Sequence, residues 1–432
     1  MMKTGFKHLC YFLLIAMLLS IAASPAYAAT TGRNGAFSYS MRGNGTLTIT
    51  KFDWTSYQKN TDIVIPQMID GYTVTAIGDL AFSHGDIVVG DGVPELPDRK
   101  YKAEDAVLII PNTVTTVGTK AFFNSGIGRV NIPASVSSIG VAAFCTGCLK
   151  NATVDRGNER YASIDGALYD KKGKELLAFA LDATAVPEGI TALGEFSCMN
   201  YGNDNNNRDF SKRAKNLFPA SLQTIKDFAI WDSCLTSGSD KVVIKALKIG
   251  KYAFARSLLM GTFSFPASVE IDVGTFCGID LYSKIYLNNL KEIPERAFAY
   301  AKRAIAPCGV YLPISVTKIG KEAYMESEIW LSGGGVHPQI IEDRAFKGAA
   351  DAAVDDEYLE KIEYIGEEAF QAKRYYEEMK IPASCTYIGD NAFYKKVKLL
   401  VEPGSYAESW ACDNGYEYDN GIEQDLSWLG QN

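Results

Sequence analysis

The residues best equipped for chemistry are few and scattered. Cys145-Thr146-Gly147-Cys148 has the C-x-x-C spacing of redox and zinc sites, in which two thiolates converge on one partner. A lone pair with no second pair and no neighbouring histidine is half of such a site. Burial as small core residues is therefore the plainer reading, and metal or redox chemistry its alternative. Beyond residue 28 the only histidines are His84 and His337. A Ser-His-Asp or Cys-His nucleophile needs a histidine held beside it, and these two sit far apart in irregular stretches that read as surface. The run Asn203-Asp204-Asn205-Asn206-Asn207-Arg208-Asp209, with Asp351 and Asp355-Asp356-Glu357 further on, offers oxygen ligands for calcium. It lacks the alternating ligands and closing Gly and Glu of an EF-hand loop, and Asn and Asp favour turns in any case. With 51 acidic residues, some pairs must fall at glycosidase separations of about 5–10 Å, so such a pair distinguishes nothing. No phosphate loop, dinucleotide fingerprint or H-E-x-x-H occurs, and Gly333-Gly334-Gly335 is followed by neither a lysine nor a helix start. An enzyme is disfavoured, an extracellular hydrolase being the remaining catalytic option, and no cofactor or metal is expected.

Position along the chain says more. Residues 1–28 carry Lys3 and Lys7, an apolar run from Leu9 to Ala23, then Ala26-Tyr27-Ala28, the layout of a secretory signal peptide with small residues at the cleavage site. The run falls short of the roughly 20 residues that span a bilayer, so the mature chain is expected to start at Ala29 and to be secreted. No later stretch is apolar enough to insert in a membrane. The whole chain carries a net charge of −8, and −10 without Lys3 and Lys7, which argues against nucleic acid and anionic membrane as partners. Of nine cysteines, Cys10 leaves with the leader, and the other eight are too sparse for a disulfide-built scaffold.

A repeat positions everything else. An aliphatic residue, usually Gly, two variable residues, then Ala and an aromatic recur at Ile77-Gly78/Ala81-Phe82, Val117-Gly118/Ala121-Phe122, Ile139-Gly140/Ala143-Phe144 and Ile249-Gly250/Ala253-Phe254. Further copies end at Phe298, Tyr324, Phe346, Phe370 and Phe393, with weaker ones near Leu193, Ile225 and Val273. From Ile230 to Phe393 the ring positions are 24, 22, 22, 26, 22, 24 and 23 residues apart, the period of a leucine-rich-repeat solenoid. A Pro-bearing phrase, such as Ile132-Pro133-Ala134-Ser135-Val136 or Phe265-Pro266-Ala267-Ser268-Val269, precedes most copies and marks where a strand stops. Upstream of it apolar residues alternate, as in Ile285 and Leu287 or Val310 and Leu312. One short strand per coil, stacked on the next, gives a parallel sheet. The small Ala lets coils approach, the ring fills the interior, and the Gly is expected to supply a positive φ for a tight turn. Cys148 and Cys234 fall at equivalent repeat positions, four after Phe144 and Ile230, and read as core residues.

These phrases resemble the BspA-like leucine-rich-repeat family of bacterial surface and secreted proteins, over residues 36–418. Phe37-Ser38-Tyr39, Gly45 to Ile49 and Ile63 to Val74 are similar to the β-hairpin cap that opens such proteins. Ile164-Asp165-Gly166-Ala167-Leu168-Tyr169 is similar to a hairpin insertion, and Pro403-Gly404-Ser405-Tyr406 to a closing segment. The resemblance implies a right-handed superhelical solenoid with a parallel sheet on its concave face. The organisation expected is signal peptide 1–28, N-terminal β cap 29–75, solenoid 76–400 with a hairpin insertion at 158–180, and C-terminal cap and tail 401–432. Residues 83–106, 199–216 and 347–357 break the period and are expected to bulge from one face.

Alternation then nominates a surface. If Ile285, Leu287, Val310, Leu312, Ile329 and Leu331 face the core, Tyr286, Tyr311 and Trp330 face outward on three successive coils, about 4.8 Å apart. Asn131 and Ser264 lie toward one end of this row, Lys380 and Lys398 toward the other. Aromatics flanked by polar groups suit a protein hot spot or a sugar platform, although rings also favour strand surfaces without any ligand. The family resemblance implies adhesion to host or neighbouring-cell proteins; an extracellular glycan is the alternative ligand, and a monomer is the expected state.

Overall fold

The computed structural model describes residues 30–59, 61–90, 92–98, 103–200, 203–204, 207–208, 214–303, 309–329, 331–332, 335–349, 356–371 and 377–421. The chain coils as a β-solenoid with three walls. The first wall holds the longer strands that run into the Pro-bearing phrases. In its middle stretch Cys234–Val243, Leu258–Ser264, Asp280–Tyr286, Gly309–Tyr311 and Leu331–Ser332 pair in parallel. Ala103–Ile109, Ile127–Ile132 and Asn151–Val154 form the same wall toward the N-terminus, and Glu378–Ile381, Lys398–Val401 and Glu417–Asp419 toward the C-terminus. Two-residue strands ending on the repeat aliphatic form the second wall, such as Lys318–Ile319, Ile340–Ile341, Tyr364–Ile365 and Tyr387–Ile388.

The third wall is the turn carrying Ala and the ring. It has no regular strands, yet its backbone is laddered between coils: Phe276 N–H donates to Ala297 O, Phe298 N–H to Ala323 O and Tyr324 N–H to Ala345 O, at 2.8–2.9 Å. Inside it, Phe254, Phe276, Phe298, Tyr324, Phe346, Phe370 and Phe393 form one stack with centroids 5.2–5.8 Å apart. Phe52, Phe82, Phe122 and Phe144 form a second stack at 4.7–5.3 Å. Cys198 and Ile230 hold the ring position between the two, which is why the period is faint there. The last ring, Phe393, is closed off by the helix Tyr406–Asp413: Ser405 caps its start, Trp410 meets Phe393 edge-on, and Tyr416 O–H donates to Phe393 O at 2.8 Å.

The repeat glycine acts differently from the turn expectation. None of Gly118, Gly320 or Gly389 has a positive φ. Instead a Cβ on Gly320 would lie 2.7 Å from Ile293 O and 2.9 Å from Glu295 N, so at this coil the backbone below leaves no room for a side chain, whereas Lys226, Asp272 and Glu342 take the equivalent position on other coils. The left-handed conformation falls two residues later, immediately before the Ala, and ordinary side chains adopt it: Leu80, Lys120, Tyr252, Arg296, Glu322, Arg344 and Glu368 all have φ between 52° and 56°. One coil has proline in the glycine position. Pro294 has no N–H to give to Ile271 O, and the second wall is unpaired at that step, between Glu270–Ile271 and Glu292–Ile293.

Residues 83–98 do not simply bulge. Residues 83–90 and 92–98 fold back as a strap, with a bridge between Val88 and Glu95, and lie along the outside of the third wall. Ile87, Val93 and Leu96 pack on the apolar cluster that includes Phe196, Trp231, Tyr252 and Cys277. Lys120 meets Asp86 at 2.6 Å, Asn124 donates to Pro97 O at 3.0 Å, and Arg296 donates to Gly90 O and Gly92 O at 2.8 and 2.6 Å. The strap therefore cross-links coils some 200 residues apart in sequence. At the N-terminus Thr31–Asn34, Phe37–Arg42 and Thr46–Phe52 pair antiparallel before Tyr72–Ile77 joins in parallel. Tyr161–Ile164, Ala167–Asp170 and Glu175–Ala178 form an antiparallel hairpin set that rejoins the second wall through Ala192–Leu193. Asn203–Asp204 pairs with Asn207–Arg208, whereas Asn205, Asn206, Asp209, Asp351 and Asp355 lie outside the described residues.

Candidate binding surface

On the middle stretch of the first wall, Val242, Phe263, Ile285, Val310 and Leu331 are in register, and the first four are buried. The columns on either side of this one therefore face outward. One runs Val243, Ser264, Tyr286, Tyr311; the other runs Lys241, Thr262, Lys284, Gly309. Tyr286 and Tyr311 stack with centroids 4.6 Å apart and planes 15° apart, each partly exposed. Lys241 Nζ sits 5.4 Å from the Tyr286 centroid and Lys284 Nζ 6.0 Å from that of Tyr311, cation–π distances worth about 0.5–1 kcal/mol at exposed sites.

The seven nominated residues are not one row. Ser264, Tyr286 and Tyr311 share a column, with Ser264 itself buried. The position beyond Tyr311 is Ser332, because Leu331 and not Ile329 pairs with Val310; Trp330 lies outside the described residues. Asn131 is exposed on a separate sheet, between Ile109 and Thr153. Lys380 is exposed and Lys398 half-buried on the C-terminal sheet. Lys398 Nζ is 3.0 Å from Asp419 and 3.5 Å from Glu378; its hydrogen bond to Asp419, above all, raises its pKa. Lys241 and Lys284 were missed in the sequence, although the alternation that picked Tyr286 puts Lys284 on the same side two residues earlier. A second stacked pair, Tyr364 and Tyr387 at 4.6 Å, faces outward on the second wall, where each precedes a buried Ile of the repeat phrase.

The groups considered for catalysis are elsewhere engaged. Cys145, Cys148, Cys198, Cys234, Cys277 and Cys385 are buried thiols, and Cys412 is an exposed one. Burial pushes the Cys198 and Cys277 thiols up to about 12, Cys385 to about 11 and Cys145 higher still, so these sulfurs stay protonated and unreactive at neutral pH. Cys148 Sγ donates to Gly126 O at 2.9 Å, which gives the C-x-x-C pair a structural use. His84 is half-buried against Trp54 with Nδ1 3.2 Å from Asn124 O, and His337 Nδ1 lies 4.0 Å from Glu360. On the second wall, over the paired strands Thr224–Ile225, Lys248–Ile249 and Glu270–Ile271, there is an open cleft of about 370 Å³, lined by Glu195, Lys226, Asp227, Lys248 and Asp272 among others. Burial, with Asp227 adding to it, raises the Glu195 pKa. Among the described residues no cluster of His, Cys, Asp and Glu could hold a metal ion, and no helix is long and apolar enough to cross a membrane.

The family model for the BspA type leucine rich repeat region matches in six copies, over residues 102–171, 210–330 and 308–401. Among solved structures, a leucine rich cell surface protein from Faecalibacterium prausnitzii is 19% identical, covering 91% of this chain and 99% of its own, with a TM-score of 0.38. A leucine-rich repeat protein from Eubacterium ventriosum is 14% identical, with 84% and 93% covered and a TM-score of 0.41. Another from Bacteroides ovatus is 17% identical, with 86% and 99% covered and a TM-score of 0.35. No curated protein matches the chain.

Proposed function

Because this chain belongs to the BspA-type leucine-rich-repeat family, we propose that it is a secreted or surface-held binding protein that holds an extracellular macromolecule against the first wall. The observation that carries this reading is the in-register, outward stack of Tyr286 and Tyr311 with lysines at the rings. Rings and cations on an open sheet supply contact area and donors, as binding hot spots do. The leader-like residues 1–28 support export. Six buried thiols and two histidines engaged with neighbours support a role without catalysis.

The test is binding of the full chain to immobilised collagen, fibronectin, mucin and a polysaccharide panel, beside the double variant Tyr286→Ala/Tyr311→Ala. Truncating two hot-spot rings at about 1–2 kcal/mol each predicts a loss of at least about tenfold in affinity, with the unfolding temperature nearly unchanged. Equal binding by parent and variant, or no binding to any member of the panel, contradicts the reading.

A further inference from the structure

The first wall holds its charge differently along its length. Toward the N-terminus Lys150 is bound to Asp105 at 3.1 Å, and toward the C-terminus Lys398 is shared by Asp419 and Glu378. Between them Lys241 and Lys284 stand in one column. No described carboxylate lies within ion-pair distance of either, and neither outward column of this stretch contains an acidic residue. Their ammonium groups rest instead on tyrosine faces. On a chain of net charge −8, two cations on outward columns that carry no acidic residue mark a surface complementary to negative charge.

Resting on the binding role proposed above, we infer that this stretch takes a linear acidic polysaccharide, one whose sugar units carry carboxylates. Lys241 and Lys284 are two strands apart, about 9.6 Å at the usual strand spacing, so positive charge recurs along the solenoid axis as negative charge recurs along such a chain. Carboxylates accept from the two ammonium groups, and the tyrosine hydroxyls and ring edges meet sugar hydroxyls and C–H groups. Between the two lysines stands Thr262, a small side chain that leaves the column shallow there. A protein ligand of similar affinity would centre instead on a desolvated pocket filled by a bulky anchor.

The test measures binding of the full chain to polygalacturonate, neutral dextran and poly-L-glutamate. Each is run at low and raised salt, for the parent, for Lys241→Gln/Lys284→Gln, and for Lys248→Gln on the second wall as a control. Polygalacturonate is expected to bind and dextran not. Loss of both lysines is expected to weaken binding about tenfold or more and to flatten its salt dependence, while Lys248→Gln binds like the parent. Equal binding to dextran, preference for poly-L-glutamate, no binding to polygalacturonate, or an undiminished double variant overturns the assignment. Ligand binding that needs the tyrosines but not the lysines removes the acidic sugar and leaves the binding surface. Ligand binding that needs neither removes both.

Discussion

Phe298→Ala is expected to destabilise the protein by about 3–5 kcal/mol, the range for truncating a fully buried ring. Phe298 is 0% exposed and stacks on Phe276 at 5.2 Å and on Tyr324 at 5.3 Å, in the middle of the seven-ring column. The coils on either side cannot close over the space. On the Tyr324 side the strand ladder holds Ile293 against Ile319 and Phe298 N–H is bonded to Ala323 O at 2.8 Å; on the Phe276 side, where the second wall is unpaired, Phe276 N–H is bonded to Ala297 O at 2.9 Å. The cavity therefore persists and its cost is added to the lost burial. Because each coil beyond the reach of the strap touches only its neighbours, and the strap's described bonds reach as far as Arg296, weakening this interface should also divide the transition, with the two halves unfolding separately. Urea titration followed by circular dichroism checks both points. Tyr387→Ala, which removes an outward ring 45% exposed and stacked on Tyr364, should cost about 0.5–1.5 kcal/mol and leave a single transition.

Gly320→Ala is expected to cost about 1–3 kcal/mol, the overpacking range, although alanine is the smallest possible change. The added carbon would lie 2.7 Å from Ile293 O and 2.9 Å from Pro294 C, and these are backbone atoms that cannot rotate away. Relief requires moving the coil apart, which strains the bond from Gly320 N–H to the same Ile293 O at 2.8 Å. Leu80→Gly is the opposite case. Leu80 sits at φ +54° with a side chain 44% exposed, so removing that side chain relieves a left-handed conformation. Stability should hold level or rise by up to about 1 kcal/mol, since the relief of about 1–2 kcal/mol is partly offset by glycine's greater freedom when unfolded. Thermal unfolding of the two variants separates close approach from turn conformation as the reason for the glycine column.

Much of this architecture is legible along the chain because its causes are local and recur. Ile-Gly, Ala-Phe and the Pro-bearing phrase each record a contact made again with the next coil, so the period announces the stack and the alternation assigns inward residues within a strand. What lies between coils is less legible. The alternation put Trp330 in the row of Tyr286 and Tyr311, but coil lengths vary. Ile285 to Val310 is 25 residues and Val310 to Leu331 is 21, and the register that results brings up Ser332. The glycine was given a turn role because its real neighbour, Ile293 in the case of Gly320, is a backbone atom of the coil below that no residue type reports. The strap at 83–98 breaks the period with no local sign of where it docks, since its partners Arg256 and Arg296 come much later. Lys241 escaped notice because its strand is irregular between Thr236 and Lys241.

The most direct test of the binding account is hydrogen–deuterium exchange of the full chain with and without polygalacturonate. Slowed exchange is predicted in peptides covering Lys241–Val243, Leu258–Ser264, Asp280–Tyr286 and Gly309–Tyr311, with the second wall and the ring turns unchanged. Protection centred instead on Tyr364 and Tyr387, or on the strap at 83–98, would contradict it.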